Sequence, residues 1–337
     1  MRFPRWFLTL VATALTAAVL AGCGSGDNDA DSSTSSAAAG GTFPVSITHA
    51  LGATKIERAP QRIVTVGLRD QDVLLAFGVK AVGAMDWFGQ GTFAKWPWED
   101  WGGTPPKVVS TGGFEINFER VAAQRPDLIL SVYGELKKAD YAKLTAIAPT
   151  VAQSAKYKPY TTPWHEETRT IARAIGREDE AKRKIADVDA KFAQVRKDHP
   201  GFRGKTAAMV DPSGENIFVF GSTDPRGQFL KELGFSSSKE IDALTPGEFG
   251  AEVSDERLDL LDVDYLFVLG DANNKGKLLD KELFRRLDVA KDGRTVILPY
   301  YDEPQYGAAV AFNTVLSIPY AIDGTLKQID AAESAAR

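Results

Sequence analysis

The sequence predicts an α/β protein of two lobes, each built on a mostly parallel sheet covered by helices, with one long helix joining them. Three observations predict this. Short β-branched runs alternate with short helical patterns in both halves of the chain, the signature of strands laid side by side with crossover helices. A charged stretch near the middle, Glu178 to His199, carries a single apolar stripe. The halves also share a segment. Asn117-Phe118-Glu119-Arg120-Val121 leads to Asp127 opening a strand, and Ser254-Asp255-Glu256-Arg257-Leu258 leads to Asp264 opening another.

Arg2 and Arg5 precede an apolar run from Phe7 to Leu20 that ends in Leu20-Ala21-Gly22-Cys23. The run falls short of the roughly 20 residues that span a bilayer, and its layout is that of a secretory signal followed by a lipobox. Cys23 is the only cysteine, so its thiol is the candidate for lipid attachment and the mature chain has no internal disulfide. Residues 24–41 are Gly, Ser, Ala, Asp, Asn and one Thr with no large apolar side chain, which reads as a flexible tether. The formal charge is −5, and removing Arg2 and Arg5 with a signal peptide of residues 1–22 takes it to about −7. That balance argues against nucleic acid and against a basic membrane-binding face, leaving lipid as the only membrane contact.

The remainder from Thr42 exceeds one comfortable core, so two lobes are expected, at 42–177 and 200–337. Val45 to Thr48 and Thr54 to Glu57 alternate as an opening hairpin. Strands at 62–66, 81–84, 108–110, 127–130 and 150–151 then alternate with helices at 70–77, 117–123 and 139–147. Ligands in such sheets sit beyond the carboxyl ends of the strands, which here carry Arg69, Asp86-Trp87-Phe88 and Tyr133-Gly134-Glu135. Trp96-Pro97-Trp98 with Trp101 either binds something or tucks its own loop over the core.

In Glu178 to His199, Ala181, Ile185, Val188, Phe192 and Val195 recur in steps of four and three. Glu180 with Lys184 and Asp187 with Lys191 are correctly ordered i,i+4 pairs, and His199-Pro200-Gly201 stops the helix. Alone, this is an ordinary amphipathic helix or a strut. At about 1.5 Å per residue it would reach about 33 Å, and the repeat on either side favours the strut. Beyond it, strands at 205–210, 216–220, 265–269 and 295–298 enclose a Gly-rich loop, 221–227, and a helix from Lys277 to Leu287. A terminal helical region from Gly307 is expected to kink or split at Pro319. Glu119 and Glu256 fall in first helical turns, where a carboxylate is favoured by the helix terminus alone. Their matched positions suggest a shared external role.

Ala59-Pro60-Gln61-Arg62-Ile63-Val64, the run from Asp72 to Val79, Asn117 to Val121 with Arg125 to Leu130, Leu144 to Val151, and Val253 to Leu258 together carry a resemblance. From Phe43 to about Lys327 the chain resembles the lipid-anchored substrate-binding proteins of iron-siderophore ABC importers, a family that includes cobalamin and haem binders. The resemblance implies two lobes joined by one long helix, with the ligand in the cleft between them. It implies a receptor outside the cytoplasmic membrane, expected here as a monomer, and one Glu per lobe, here Glu119 and Glu256, docking onto arginines of the permease subunits. No resident cofactor is implied; the ferric siderophore is cargo. A large polar ferric complex calls for guanidinium groups and flat aromatic faces. Arg69, Trp87, Tyr133, Arg226 and Tyr301 stand at predicted strand ends or loops, with Tyr157 and Tyr300 behind them, and each could equally be a salt bridge or core aromatic. Phe77 and Phe114 read as packing.

Bare metal ions are disfavoured, because the chain has only His49, His165 and His199. Haem stays open, since Tyr133, Tyr300 or Tyr301 could be an axial ligand. Catalysis has no motif to rest on: there is no Gly-x-Ser-x-Gly elbow and no Walker loop, and Gly89-Gln90-Gly91 lacks the third glycine of a dinucleotide fingerprint.

Overall fold

A computed structural model describes residues 41–87, 93 and 96–335. The expected signal peptide, Cys23, nearly all of the tether, and Phe88 with Gly89 to Gly91 lie outside the described residues. The chain opens with the antiparallel hairpin β1 (Val45–His49) and β2 (Gly52–Ile56). Its alternation turns Ile47 and Ile56 inward. Strand β3 (Ile63–Thr65) leads into helix α1 (Asp70–Ala76), whose first turn carries Asp70 and Asp72. Then come β4 (Gly83–Ala84), β5 (Lys107–Val108) and the small hairpin β6 (Ser110–Gly112) and β7 (Glu115–Ile116). Helix α2 (Phe118–Ala123) is capped by the Asn117 side chain, which accepts from the Arg120 amide. Strand β8 (Leu128–Leu130), helix α3 (Lys138–Thr145) and strand β9 (Thr150–Val151) complete the first sheet. Its order is β5-β4-β3-β8-β9, parallel throughout.

Helix α4 (Trp164–Ala174), which the sequence reading left unassigned, turns at Gly176 (φ +71°) into the long helix α5 (Glu178–Asp198). All five predicted stripe residues of α5 are buried. The stripe touches both sides: α5 packs on α4 before it and on two helices of the second half. One core therefore runs along α5 through both lobes, with Ile171 and Phe192 in the same cluster as Phe229 and Phe267. Of the two predicted surface pairs, Lys184 lies 3.5 Å from Glu180. Lys191 instead reaches Asp323 at 2.9 Å and the Pro319 carbonyl, because the neighbouring helix lies closer to its ammonium than Asp187 does.

After a 3-10 turn at Pro200–Phe202, the second lobe is built from β10 (Thr206–Asp211), β11 (Ile217–Phe220), α6 (Pro225–Leu233) and β12 (Ser236–Ser237). Helix α7 (Lys239–Leu244), β13 (Gly250–Val253), a 3-10 segment at Asp255–Leu261 and β14 (Tyr265–Leu269) follow. The sheet order is β13-β11-β10-β14-β15, where β15 is Thr295–Leu298, with β12 beside β10. Pairs among β10, β12, β14 and β15 are parallel, and β11 pairs antiparallel with both neighbours.

Where a single helix from Lys277 to Leu287 is expected, the chain forms two short ones, α8 (Gly276–Leu279) and α9 (Glu282–Arg285), and a third, α10 (Asp288–Lys291), follows. Leu278, Phe284 and Val289 all bury into one core cluster. Their spacings of six and five cannot share one face at about 100° per residue, so extended backbone at Lys281 and Leu287 resets the direction. The terminal region splits into α11 (Tyr306–Phe312) and α12 (Ile318–Ala335). The break falls at 313–317, where Asn313 has φ +45°. Pro319 itself sits in the first turn of α12, where a missing N–H costs little.

The sequence repeat has a structural counterpart. Asp127 accepts the Gln61 and Arg62 amides at 2.8 Å, and Asp264 accepts the Thr206 amide at 2.8 Å. Each carboxylate thereby pins the start of its own strand to the neighbouring one.

Candidate ligand-binding cleft

The carboxyl ends of three parallel strands converge on one side of the first lobe. β3 delivers Leu68 and Arg69, β4 delivers Asp86 and Trp87, and β8 delivers Val132 and Tyr133. Asp70 clamps two of these ends together, its carboxyl accepting the Val132 amide at 2.7 Å and the Tyr133 amide at 3.0 Å. Burial, with Glu167 nearby, pushes its pKa up to about 8. Opposite stand the loop after β11, the start of α6 and the end of α11. Gly227 lets α6 lie against that loop, since a Cβ there would fall 2.3 Å from the Gly221 carbonyl oxygen.

Between these elements lies a cleft of about 230 Å³, lined by Leu68, Arg69, Trp87, Phe114, Tyr133, Tyr160, Asp224, Arg226, Phe249, Ala311 and Phe312. Each of its guanidinium groups lies on an aromatic face and against a carboxylate. Arg69 sits 3.6 Å over the Tyr133 ring, with Nε and Nη2 at 2.9 and 2.8 Å from Glu167 Oε2. It also donates to the Phe312 and Thr162 carbonyls, so one buried side chain joins α1, α4 and α11. Arg226 sits 3.8 Å over Phe220, and its Nε lies 3.0 Å from Asp224, which caps α6 by accepting the Arg226 amide at 2.8 Å. Burial raises the pKa of Glu167 and Asp224, while the adjoining arginines pull the other way. With a guanidinium in direct contact we assign both as ionised.

Aromatic rings form a chain around the mouth from one lobe to the other. Trp87 stacks on Phe114 at 6.3 Å, Phe114 meets Tyr160 at 6.4 Å, Tyr160 meets Phe249 at 6.3 Å, and Phe249 stacks on Phe218 at 5.4 Å. Tyr160 occupies the left-handed region at φ +63°, sparsely populated for a residue with a Cβ. The Tyr133 hydroxyl donates to its carbonyl at 2.8 Å.

Four of the seven ligand-contact candidates, Arg69, Trp87, Tyr133 and Arg226, line this cleft. Tyr157, Tyr300 and Tyr301 do not. Tyr300 and Tyr301 donate backbone amides to Asp271 at 2.8 and 2.9 Å, and the Tyr301 side chain is 46 % exposed. Phe114, expected to be packing, is 62 % exposed at the tip of the β6–β7 hairpin and faces the cleft; Phe77 is buried as expected. Trp96 and Trp101 are buried, and Trp96 and Trp98 stack at 5.3 Å against Phe312, so this cluster backs the cleft wall from behind. Trp98 Nε1 donates to Asp72 at 2.9 Å and Trp101 Nε1 to Glu99 at 2.7 Å. Tyr160, Asp224, Phe249 and Phe312 were not singled out from sequence. Asp224-Pro225 before a helix is a capping signal, and only its pairing with Arg226 across the turn could have pointed to the site. Glu119 and Glu256 are both exposed, Glu119 in the first turn of α2 and Glu256 in the first turn of the 3-10 segment.

A family model described as periplasmic binding protein matches residues 63–301. The chain is 32 % identical over 195 residues to the probable siderophore-binding lipoprotein YfiY of Bacillus subtilis, an alignment spanning 56 % of each chain. Among solved structures, a periplasmic solute binding protein of Mycobacterium smegmatis is 30 % identical with TM-score 0.73, covering 87 % of this chain and 98 % of that one. PiaA of Streptococcus pneumoniae TIGR4, solved in complex with ferrichrome, is 25 % identical with TM-score 0.73, over 87 % of this chain and all of that one. No helix among the described residues is long and apolar enough to cross a membrane.

Proposed function

Because this chain belongs to the periplasmic binding protein family, we propose that it is an extracytoplasmic receptor that captures a ferric siderophore and hands it to an ABC import permease. The observation that carries the reading is the cleft itself: two guanidinium groups on aromatic faces inside a ring of six aromatic side chains. Such a lining suits a bulky organic chelate with polar edges and flat or aliphatic flanks. The family is one of binding proteins rather than enzymes.

In this reading Cys23 carries the lipid, residues 23–41 are the tether, and the receptor works as a monomer on the outer face of the cytoplasmic membrane. The lobes at 42–177 and 200–337 move little against each other, because the connecting segment 178–199, which holds α5, packs on both and Arg69 ties them through the Phe312 carbonyl. Glu119 and Glu256, exposed and one per lobe, dock onto permease arginines and set the cleft over the pore.

Trp87 in the cleft supplies the test. Tryptophan fluorescence of the tether-free protein should be quenched saturably by a ferric siderophore and more weakly by its iron-free form. Saturation by haem or cobalamin alone would refute the siderophore reading and leave the architecture intact.

A further inference from the structure

The cleft contains two arginines and yet no surplus positive charge. Arg69 is held by Glu167, with side-chain exposures of 2 % and 0 %, and Arg226 by Asp224, with 14 % and 1 %. Most of the donors of Arg69 are already spent on Glu167 and on two backbone carbonyls. Beside Phe249 and Tyr160, Lys158 is paired with Glu248 at 2.6 Å. Two further carboxylates act on the site, Asp211 on Arg226 and Glu135 on Tyr160. Among the described residues lining the cleft, no cation is left without its own carboxylate.

We propose that this cleft selects ferric complexes with no net negative charge, the tris-hydroxamate class, over the anionic tris-catecholates and hydroxycarboxylates. Three singly charged hydroxamates balance ferric iron, so the complex is neutral. Three doubly charged catecholates leave it trianionic. Desolvating a trianion in a cleft whose arginines are already neutralised leaves that charge unmatched, which is costly. A neutral chelate gives up little hydration and gains contact with the rings of Trp87, Phe114, Tyr160, Phe249 and Phe312. Arg226, the more exposed of the two at 14 %, can still donate hydrogen bonds to chelating oxygens while its formal charge stays compensated.

The inference rests on the siderophore-receptor reading, and one experiment separates the two. The tether-free protein is titrated with ferrichrome, with ferric enterobactin and with haem, each at low and high salt. We expect ferrichrome to bind at least about tenfold more tightly than ferric enterobactin, with an affinity nearly flat in salt. In Asp224→Asn, which keeps a side chain competent to cap α6, Arg226 loses its counter-charge and the gap should narrow through tighter enterobactin binding. Ferric enterobactin binding as tightly as ferrichrome in the wild type overturns the charge selection and leaves the receptor reading standing. A steep loss of ferrichrome affinity with salt overturns it also. Haem saturating while neither ferric complex does overturns both readings. Should Asp224→Asn fail to fold, the wild-type ranking and its salt dependence still decide.

Discussion

Breaking the Arg69–Glu167 pair should destabilise the whole protein. Both side chains are essentially inaccessible, at 2 % and 0 %, and one guanidinium joins α1, α4 and α11. Removing one partner of a buried pair strands the other charge, at a cost of about 3–5 kcal/mol. At about 2–4 °C per kcal/mol for a chain of this size, Arg69→Met or Glu167→Gln should lower Tm by about 6–20 °C. The double variant leaves neither charge exposed to desolvation, so its loss should be clearly smaller than the sum of the singles. Thermal and urea unfolding of the four proteins form a double-mutant cycle. Single losses below about 1 kcal/mol, or strict additivity, would refute the account of Arg69 as an interlobe tie.

Other consequences follow from the same geometry. Glu119→Ala with Glu256→Ala should abolish uptake in cells while leaving the ligand affinity of the isolated receptor intact; loss of binding itself would place these residues elsewhere in the mechanism. Asp70 has its pKa raised from 3.8 to about 8 in the folded state, so the unfolded chain releases this proton first as pH rises. Its contribution to stability is therefore full below about pH 4, falls through the interval up to about pH 8 and is flat above. Urea unfolding across that range should show a shallower fall for Asp70→Asn, and an identical slope would discount the burial of a protonated carboxyl. Phe192, 1 % exposed and 5.8 Å from Phe229, anchors α5 to α6; Phe192→Ala should cost about 3–5 kcal/mol in equilibrium unfolding, and a loss near zero would mean that α5 does not share the core.

Much of what depends on local pattern was legible in the sequence. The stripe of α5, its stop at His199-Pro200, the strands of the first sheet, four strands of the second and the carboxyl-end positions of Arg69, Trp87 and Tyr133 follow from side-chain period and from capping and turn chemistry, whereas α4, β12 and β13 were not read from it. Where a short apolar run had to choose its neighbours, period alone gave the wrong answer. The stretch from Gly276 to Lys291 breaks twice because its apolar residues answer to a core behind them. Phe114 reads as packing until the β6–β7 hairpin is seen to hold it out over the cleft. The same limit applies to charge. Composition can count arginines and carboxylates, but that Glu167, 98 positions from Arg69, lies against its guanidinium is a matter of tertiary proximity. Electrostatic energy depends on distance in space and on burial, neither of which is written in sequence separation. The sequence by itself therefore determined two runs of alternating strands and helices on either side of one long amphipathic helix, and which side chains stand at the strand ends. Only the folding of α4 and α6 around the strand ends decided that each cleft arginine lies against a carboxylate.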